Sequence, residues 1–463
     1  MLLRRLAFGA LLAPLLCVSR PDSGALAIQD VTVIPMTGAP PIERATVLIR
    51  NDRIAAIGPS SDVDVPDGAT IIDGTGRFLI PGLIEMHAHV SKLRASSLGL
   101  FVANGVTTLR DMGGEHAELL RWRNEIGQGQ RVGPRMLIAG PYLESADNIA
   151  RMRRDPPEAR VEPFERTRIG VGSPEDATRI VDSLAALELD FLKIRTVQDL
   201  ATYRAINEAA GRHGLKVVGH VLGLTPERVL EAGQDGVEHF FYPVLDDYTR
   251  EQRMALWRQF SERGIAVVPT LVTFTRSAFP PTDSLRAIVE DSLGAIEAER
   301  RYLSRFLVLD WREQVLEADD ETRVVLRGLY PSVVRNLREM HEAGVPVLAG
   351  SDVAVLNIFP GSSLHEELEL FVSELGMSPH DALAAATVRS AEFLGIQDSV
   401  GTIEVGNVAD LALLGANPLE DISSLARVEA VVLRGRLLDR AALDRVLEEV
   451  LRAPDVRVND WKR

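Results

Sequence analysis

Short runs of apolar and β-branched residues alternate with turn-forming residues over the first eighty positions of the chain. Gly, Pro, Asp and Asn separate four such runs, which is typical of small antiparallel strands: 27–34, 45–50, 53–58 and 70–73. Strand character returns near the other end, in 401–414 and 430–434. The pattern predicts a small β-sandwich domain built from residues 28–80 and 400–440, followed by a C-terminal helix and tail over 441–463.

From about residue 80 onwards, strands and helices alternate along the chain. Eight apolar segments have the length and composition of strands: 83–90, 105–112, 135–140, 190–195, 216–222, 236–242, 265–272 and 345–352. Helices between them begin with a hydroxyl residue before a proline, as at Ser173 and Ser378. This alternation predicts an α/β fold, a (β/α)8 TIM barrel over residues 81–399. Two long excursions, 141–172 and 273–330, interrupt it, and we expect extra helices in the second.

The composition excludes some classes of function. The chain has 463 residues, of which 46% are hydrophobic and 25% are charged, and its formal net charge is −15. These fractions are those of an ordinary globular protein. Because no run rich in Lys and Arg occurs, we expect a small-molecule substrate and no nucleic-acid partner. The oligomeric state stays open, and a homo-oligomer is one option.

The first 27 residues have the pattern of a secretory signal peptide. Arg4 and Arg5 precede a short apolar run at 6–16, and Ala25 and Ala27 have the spacing of a cleavage site. The run is too short for a comfortable transmembrane span. We therefore expect an exported protein, periplasmic or extracellular, with no stable membrane span after cleavage. A buried helix or a retained anchor is the alternative.

The single cysteine, Cys17, lies within this segment. A lipoprotein signal requires a small residue before the cysteine, and Leu16 is not small, so the sequence disfavours lipid anchoring. Without residues 1–27 the chain contains no cysteine, which excludes disulfides and thiolate ligands from a processed protein.

A His-x-His pair lies in the first of the predicted barrel strands. His87 and His89 follow the Pro81-Gly82 turn within an apolar run. Side chains at positions i and i+2 of a strand project from the same face, so both imidazoles can reach one metal ion. The pair alone is a weak signal, because nine histidines in the chain can produce one by chance.

Other strands carry reactive side chains at the same end. Barrel enzymes hold their chemistry at the C-terminal ends of the strands. The sequence places four further groups there, on strands four, five, six and eight: Lys193, His220, His239 and Asp352. Imidazole and carboxylate groups converging on one rim predict a metal centre.

The lysine requires a separate explanation. An ammonium ion cannot ligate a metal, and burying it without a partner is costly. A desolvated amine has a lowered pKa and is reactive. Addition of carbon dioxide would convert Lys193 to a carbamate, whose two oxygens can bridge two cations. A salt bridge to Asp190 or Glu238, or a Schiff base, is the alternative.

The run from Pro81 to His89, PGLIEMHAH, resembles the signature of the amidohydrolase superfamily. The order His-x-His, Lys, His, His, Asp along the strands is similar to that superfamily as well. Five further segments resemble its branch of imidazolonepropionase-like and Xaa-Pro dipeptidase-like proteins: 105–111, 268–271, 349–352, 385–387 and 406–411. The resemblance extends from about residue 28 to residue 440.

The resemblance implies a hydrolase that cleaves an amide C–N bond, in a dipeptide or an N-acyl amino acid. It also implies a centre of two divalent metal ions: His87, His89 and Asp352 on the first, His220 and His239 on the second, and carboxylated Lys193 as the bridge. Asp352 is then expected to take the proton of the attacking, metal-bridging hydroxide and to give it to the leaving nitrogen. Imidazole and oxygen ligands favour zinc, with manganese, cobalt and iron as alternatives.

Three side chains are weaker candidates for substrate contact. Arg195, two residues beyond Lys193, is suited to a substrate carboxylate, with an ion pair behind the site as the alternative. Tyr242, three residues beyond His239, is a candidate whose alternative is packing. His365 opens the helix after strand eight, from which it could approach the site.

Two other functions stay open at this point. One is a mononuclear deaminase or cyclic-amide hydrolase of the same superfamily, although such enzymes generally lack the bridging lysine. The other is a catalytically silent binding protein on the same scaffold. Loss of ligands would support the binding protein, and the sequence retains all of them.

Overall fold

The computed structural model describes residues 24–154, 164–197, 199–221, 223–240, 245–317 and 320–456. The predicted signal peptide lies almost wholly outside the described residues, as does Cys17, and export stays a prediction. Leu26 and Ala27 are described, and both belong to the first strand, where they pair with Ile49 and Leu48. No helix in these described ranges is long and apolar enough to cross a membrane.

The described residues form seventeen strands: β1 (Leu26–Val33), β2 (Ile42–Arg50), β3 (Arg53–Pro59), β4 (Thr70–Asp73), β5 (Phe78–Pro81), β6 (Leu83–Ala88), β7 (Val106–Asp111), β8 (Arg135–Ile138), β9 (Tyr142–Ser145), β10 (Arg168–Val171), β11 (Phe191–Ile194), β12 (Lys216–Gly219), β13 (Gly236–Glu238), β14 (Ala266–Val268), β15 (Leu411–Leu414), β16 (Val428–Leu433) and β17 (Arg436–Asp439).

They also form sixteen α-helices: α1 (Val90–Leu93), α2 (Leu98–Ala103), α3 (His116–Gly127), α4 (Ala146–Arg154), α5 (Phe164–Thr167), α6 (Pro174–Leu184), α7 (Leu200–Arg212), α8 (Pro226–Ala232), α9 (Arg250–Glu262), α10 (Thr282–Glu290), α11 (Arg305–Glu317), α12 (Asp320–Glu342), α13 (Ser362–Ser373), α14 (Pro379–Ala385), α15 (Val388–Leu394) and α16 (Arg440–Arg452). A π-helical segment occupies Phe274–Ala278, and short 3-10 helices occupy Ala95–Ser97, Ala298–Tyr302 and Ile422–Ala426.

Strands from both ends of the chain form one eight-stranded sheet. Its order is β17-β16-β15-β5-β1-β2-β3, with β4 paired to β1. Because β15 pairs with β5, the chain returns to its N-terminal strands after residue 400. Val31, Val47 and Leu411 lie in one buried cluster, and burial of each such side chain contributes about 1.5–3 kcal/mol. The described strands at the two ends share a single sheet, so the two-layered sandwich stays a prediction.

The middle of the chain has mixed α/β structure with parallel sheets. Three strands pair in the order β6-β7-β8, and six pair in the order β10-β9-β11-β12-β13-β14. All of these pairings are parallel, which requires crossover connections of the kind that helices provide. Every residue of β6, β7 and β11 is buried, as expected for strands covered on both faces.

Backbone hydrogen bonds join the three-stranded sheet to neighbouring segments at both of its edges. At one edge, the N–H of Asp190, next to β11, donates to the carbonyl of Ile138 in β8 at 3.0 Å. At the other edge, the N–H of Met86 in β6 donates to the carbonyl of Ala349 at 3.0 Å. The second bond draws the segment around Ala349 against β6, where the His-x-His pair begins.

The segment 345–352 is not the regular strand that the sequence pattern predicts. It lies between β14 and β6, and isolated parallel bridges form there at Val347 and Val353. Pro346 has no N–H to donate, and its carbonyl accepts from Val267 at 2.9 Å. The other seven predicted strands are present, and the paired part of each is shorter than the predicted segment.

The excursion 141–172 contains two strands that the sequence pattern did not indicate. β9 and β10 pair in parallel, and β9 extends the six-stranded sheet beside β11. The second excursion, 273–330, holds extra helices as predicted, namely α10, α11 and the first part of α12. Both excursions contribute side chains to the site described below.

Gly350 permits the close approach of its segment to β6. A Cβ at this position would lie 2.6 Å from Cγ1 of Val268 and 2.9 Å from Cβ of His87. We expect Gly350→Ala to lower the free energy of unfolding by about 1–3 kcal/mol through overpacking, as measured by chemical denaturation. The control is Gly211→Ala in α7, where a Cβ meets no atom within 4 Å and alanine is the better helix former. Equal effects of the two substitutions would contradict this packing account.

Candidate metal centre

The predicted histidines meet at one end of the parallel strands. His87 lies in β6 and His89 directly after it, while His220 and His239 directly follow β12 and β13. Their imidazoles form a continuous row with these distances between ring centroids: 5.3 Å from His89 to His87, 4.8 Å from His87 to His239, and 4.9 Å from His239 to His220. The structure therefore brings all four predicted imidazoles together.

The carboxylate of Asp352 lies among three of these rings. Its Oδ1 is 3.3 Å from Nε2 of His87 and 3.2 Å from Nε2 of His89. Its Oδ2 is 3.8 Å from Nε2 of His239. The ligand atoms of His87, His89 and Asp352 all lie within 4.8 Å of one another. Such a group of nitrogen and oxygen donors can hold one divalent metal ion.

The other ring nitrogen, Nδ1, has a fixed partner in three of the four histidines. The Nδ1 of His87 lies 2.7 Å from Oε2 of Glu238. The Nδ1 of His89 lies 2.9 Å from the hydroxyl of Tyr142, and that of His239 lies 2.8 Å from the hydroxyl of Thr270. Partners of this kind fix the orientation of an imidazole and leave Nε2 for a metal. The same three rings direct Nε2 towards Asp352.

Glu238 is shared between His87 and a buried arginine. The Nη2 of Arg110 donates to Oε1 of Glu238 at 2.6 Å, and Oε2 contacts His87. The Nε of Arg110 donates to the carbonyl of Met86 at 2.7 Å. Both side chains of this ion pair are about 1% exposed or less. A buried charge is tolerated when a partner compensates it, and each oxygen of Glu238 has such a partner.

Lys193 is buried at the same end of the sheet. It is 1% exposed, and its Nζ makes no hydrogen bond with the described residues. Among the described residues, neither Asp190 nor Glu238, the two alternative partners suggested by the sequence, forms an ion pair with Lys193. Asp190 pairs instead with Arg123 at 3.1 Å. Burial lowers the pKa of Lys193 to about 8, against the opposing charges of Glu238 and Asp352. Such an amine is more readily neutral, and hence nucleophilic, than an exposed lysine.

The electrostatic environment favours metal binding by the histidines. Burial lowers the pKa of each of the four, and the nearby charge of Lys193 lowers it further. They therefore offer unprotonated nitrogens at neutral pH, the form that binds a metal. Burial acts to raise the pKa of Asp352, whereas protonated rings of His87 and His239 would attract its carboxylate and lower that pKa.

The backbone adopts a rare conformation at three residues whose side chains belong to the site or contact it. His239, Thr270 and Asp352 have φ angles of +67°, +52° and +56°. Residues other than glycine rarely adopt this left-handed region, and such strain is characteristic of functional sites. The turn of the chain at each strand end directs the side chain into the site.

A cavity of about 720 Å³ opens over the centre. Apolar side chains from the second excursion line part of it, including Phe274 and Leu326. Arg168 and Arg195 line another part, and both donate to Oε1 of the buried Glu144, at 3.2 and 3.1 Å. Two guanidinium groups thus share one carboxylate, which leaves this part of the cavity positively charged.

The weaker candidates have different positions. Arg195 lines the cavity, as described above. Tyr242 lies outside the described residues. His365 is buried in α13, where its Nε2 donates to the carbonyl of Asn104 at 2.9 Å, and it is not among the residues that line the cavity. The structure therefore does not bring His365 to the site.

Sequence reasoning missed the side chains that hold the ligands in place. Glu238 entered only as an alternative partner of Lys193, Thr270 only as part of the segment 268–271, and Tyr142 had no proposed role. One signal was present, because Glu238 immediately precedes His239 in an otherwise apolar run, where a carboxylate requires a buried partner. Tyr142 and Thr270 carry no comparable local signal.

The chain belongs to the amidohydrolase family, whose profile matches residues 78–438. It is 26% identical over 447 residues to an imidazolonepropionase from Symbiobacterium thermophilum, covering 89% of this chain and 92% of the relative. It is 24% identical over 437 residues to a 5-methylthioadenosine/S-adenosylhomocysteine deaminase of the same organism, covering 88% and 90%. These findings confirm the prediction of an amidohydrolase enzyme.

Solved structures agree with this assignment. A candidate prolidase from Bifidobacterium longum superposes with a TM-score of 0.70 and 26% identity, covering 93% of this chain and 100% of that protein. A Xaa-Pro dipeptidase with bound methionine has a TM-score of 0.66 and 21% identity, covering 90% and 100%, and therefore shows similarity of fold. The amidohydrolase resemblance of the sequence motifs thus extends to the three-dimensional structure.

We expect Glu238→Gln to destabilise the protein strongly, because it leaves the buried charge of Arg110 without its carboxylate. Removing one partner of a buried ion pair costs roughly 3–5 kcal/mol, measured as the free energy of unfolding. The control is Glu188→Gln, which removes an exposed partner of Arg123 and is expected to cost less than about 1 kcal/mol. A loss below about 1 kcal/mol for Glu238→Gln would contradict the central position of this carboxylate.

Proposed function

We propose that the protein is a metal-dependent hydrolase that cleaves an amide C–N bond in a dipeptide or an N-acyl amino acid. The observation that carries the proposal is the buried amine of Lys193, which lacks a hydrogen-bond partner among the described residues and lies beside imidazoles and a carboxylate. This set fits two divalent ions once the neutral amine has added to carbon dioxide and lost one proton. The resulting carbamate provides the two anionic oxygens that a bridging ligand needs.

The proposed ligands divide between the two ions in this way: His87, His89 and Asp352 for the first, His220 and His239 for the second, and carboxylated Lys193 for both. Bound divalent ions of this kind polarise a substrate carbonyl and lower the pKa of water. Zinc suits a set of imidazole and oxygen donors without thiolate.

Asp352 is the proposed general base and acid. Its carboxylate lies beside His87 and His89 and lines the cavity, so it is placed to accept a proton from the water that attacks the amide carbon. As the C–N bond breaks, the same carboxyl group returns that proton to the leaving nitrogen. The products are then a free amine and a carboxylate.

The positively charged part of the cavity is the proposed binding site for a substrate carboxylate. Arg195 is 38% exposed in its side chain and shares Glu144 with Arg168, so its guanidinium has donors to spare. Apolar side chains such as Phe274 and Leu326 would accommodate the remainder of the substrate. This division suits an anionic substrate that also has an apolar part.

The architecture that we propose around this site is a closed (β/α)8 barrel. Support comes from the hydrogen bonds at both edges of the three-stranded sheet, together with the bridges that join Val347 to β14 and Val353 to β6. The sheet formed by both chain ends would then belong to a small β-sandwich domain beside the barrel. Active sites of such barrels lie at the C-terminal ends of the strands, which is where the histidines lie.

A second candidate is a mononuclear deaminase or cyclic-amide hydrolase. It is favoured by the fact that three donors, from His87, His89 and Asp352, already form a compact group. A relative from Symbiobacterium thermophilum is named as a deaminase. Metal analysis separates the candidates, because the binuclear enzyme requires about two ions per chain, the mononuclear enzyme about one, and a silent binding protein none.

We expect Lys193→Ala to lose the second metal ion and at least about a hundredfold in kcat, because the bridging ligand is gone. Propionate, whose carboxylate can occupy the space left by the lysine side chain, is expected to restore part of the metal binding and part of kcat. Metal content and hydrolysis of a dipeptide and N-acyl amino acid library are the measurements. The control is Lys216→Ala on the adjacent strand, whose lysine is exposed and lies at the opposite end. Full activity and two ions in Lys193→Ala would refute the bridge.

We expect Arg195→Gln to lower kcat/KM for N-acetylphenylalanine by about 10–100-fold, because a hydrogen bond to a charged group contributes about 1.5–3 kcal/mol. Hydrolysis of its C-terminal carboxamide should change less than about threefold. Arg179→Gln, which alters an exposed arginine of α6, is the control and should affect neither substrate. Equal losses for the acid and the carboxamide would count against a carboxylate site at Arg195.

A further inference from the structure

A carboxyl group without a cationic partner is buried behind the candidate metal centre. Glu367 in α13 is fully buried, and in the described part of the chain no lysine, arginine or histidine forms an ion pair with it. Its two oxygens accept instead from the backbone N–H groups of Leu271 and Val272, at 2.9 and 2.7 Å. Burial raises the pKa of Glu367 to about 8, so the position is unfavourable for the group itself.

The two N–H groups begin the turn that follows Thr270. This residue is buried, and its φ of +52° is a conformation that β-branched residues rarely adopt. Its hydroxyl is 2.8 Å from Nδ1 of His239. A continuous series of contacts therefore connects Glu367 to the turn, the turn to Thr270, and Thr270 to a proposed metal ligand.

The same turn continues into the π-helical segment Phe274–Ala278, and Phe274 lines the cavity. The neighbouring residue, Glu366, holds the middle of this segment. Both of its carboxylate oxygens accept from the guanidinium of Arg276, at 2.6 and 2.5 Å. Adjacent residues of α13 thus hold two parts of one segment. Of these two, only Glu367 contacts the turn next to Thr270.

We propose that Glu367 is a positioning residue, which fixes the turn at Thr270 so that the hydroxyl of Thr270 orients the imidazole of His239 towards the metal centre. Glu367 is buried and does not line the cavity, so it acts without touching the substrate. The inference rests on the proposed metal centre and adds to it a side chain outside the ligand set.

The test compares zinc binding by the full-length wild type, Glu367→Gln and Glu366→Gln, measured by competition with a chromogenic chelator. Removal of a partner that orients a ligand typically weakens metal binding by about 10–100-fold. We expect that loss for Glu367→Gln and a change below about threefold for Glu366→Gln. Thermal unfolding of each variant establishes that it is folded, and the visible spectrum of the cobalt form reports a change in ligand geometry at the metal centre.

A third variant, Thr270→Val, separates positioning from a general loss of packing. If Glu367 acts through Thr270, the effects of Glu367→Gln and Thr270→Val on zinc affinity are not additive in the double variant. Additive effects in the double variant would overturn the role of Glu367 while leaving the metal centre intact. The same conclusion would follow if folded Glu367→Gln kept the zinc affinity and the cobalt spectrum of the wild type. Absence of zinc binding by the wild type would overturn both.

Discussion

The carboxylate of Glu238 connects three parallel strands at the centre of the protein. It belongs to β13, yet one of its oxygens contacts His87 of β6 and the other accepts from Arg110 of β7. Because His87 stands between His89 and His239 in the row of imidazoles, the geometry of the whole row depends on this contact. Arg110 supplies a buried positive charge that compensates this carboxylate.

The meeting of the four imidazoles can be predicted from the sequence, whereas the contacts that orient them cannot. His220 and His239 each follow an apolar strand directly, and the ends of parallel strands meet at one rim, so local pattern is sufficient. The partner of His87, in contrast, is 151 positions away along the chain. A single sequence has no local trace of such a contact, and the sequence suggested Glu238 only as an alternative partner of Lys193.

The same limit applies to the strands of the first excursion. β9 and β10 have four residues each in a region rich in Arg, Pro and Glu, which resembles a loop in composition. They are strands because β10 pairs with β9 and β9 pairs with β11, and such tertiary context overrides local propensity. Tyr142 and Glu144 reach the site only through this pairing. The left-handed backbone at His239 and Asp352 was equally hidden, since strain of this kind is imposed by the surrounding packing.

The central claim is that Lys193 serves as a carbamate between two metal ions. The most direct measurement is 13C NMR of the wild-type protein reconstituted with zinc in the presence of 13C-labelled bicarbonate. The account predicts one carbamate resonance per chain, which appears together with binding of the second ion and is lost when the metal is removed. Binding of two ions without that resonance would contradict it.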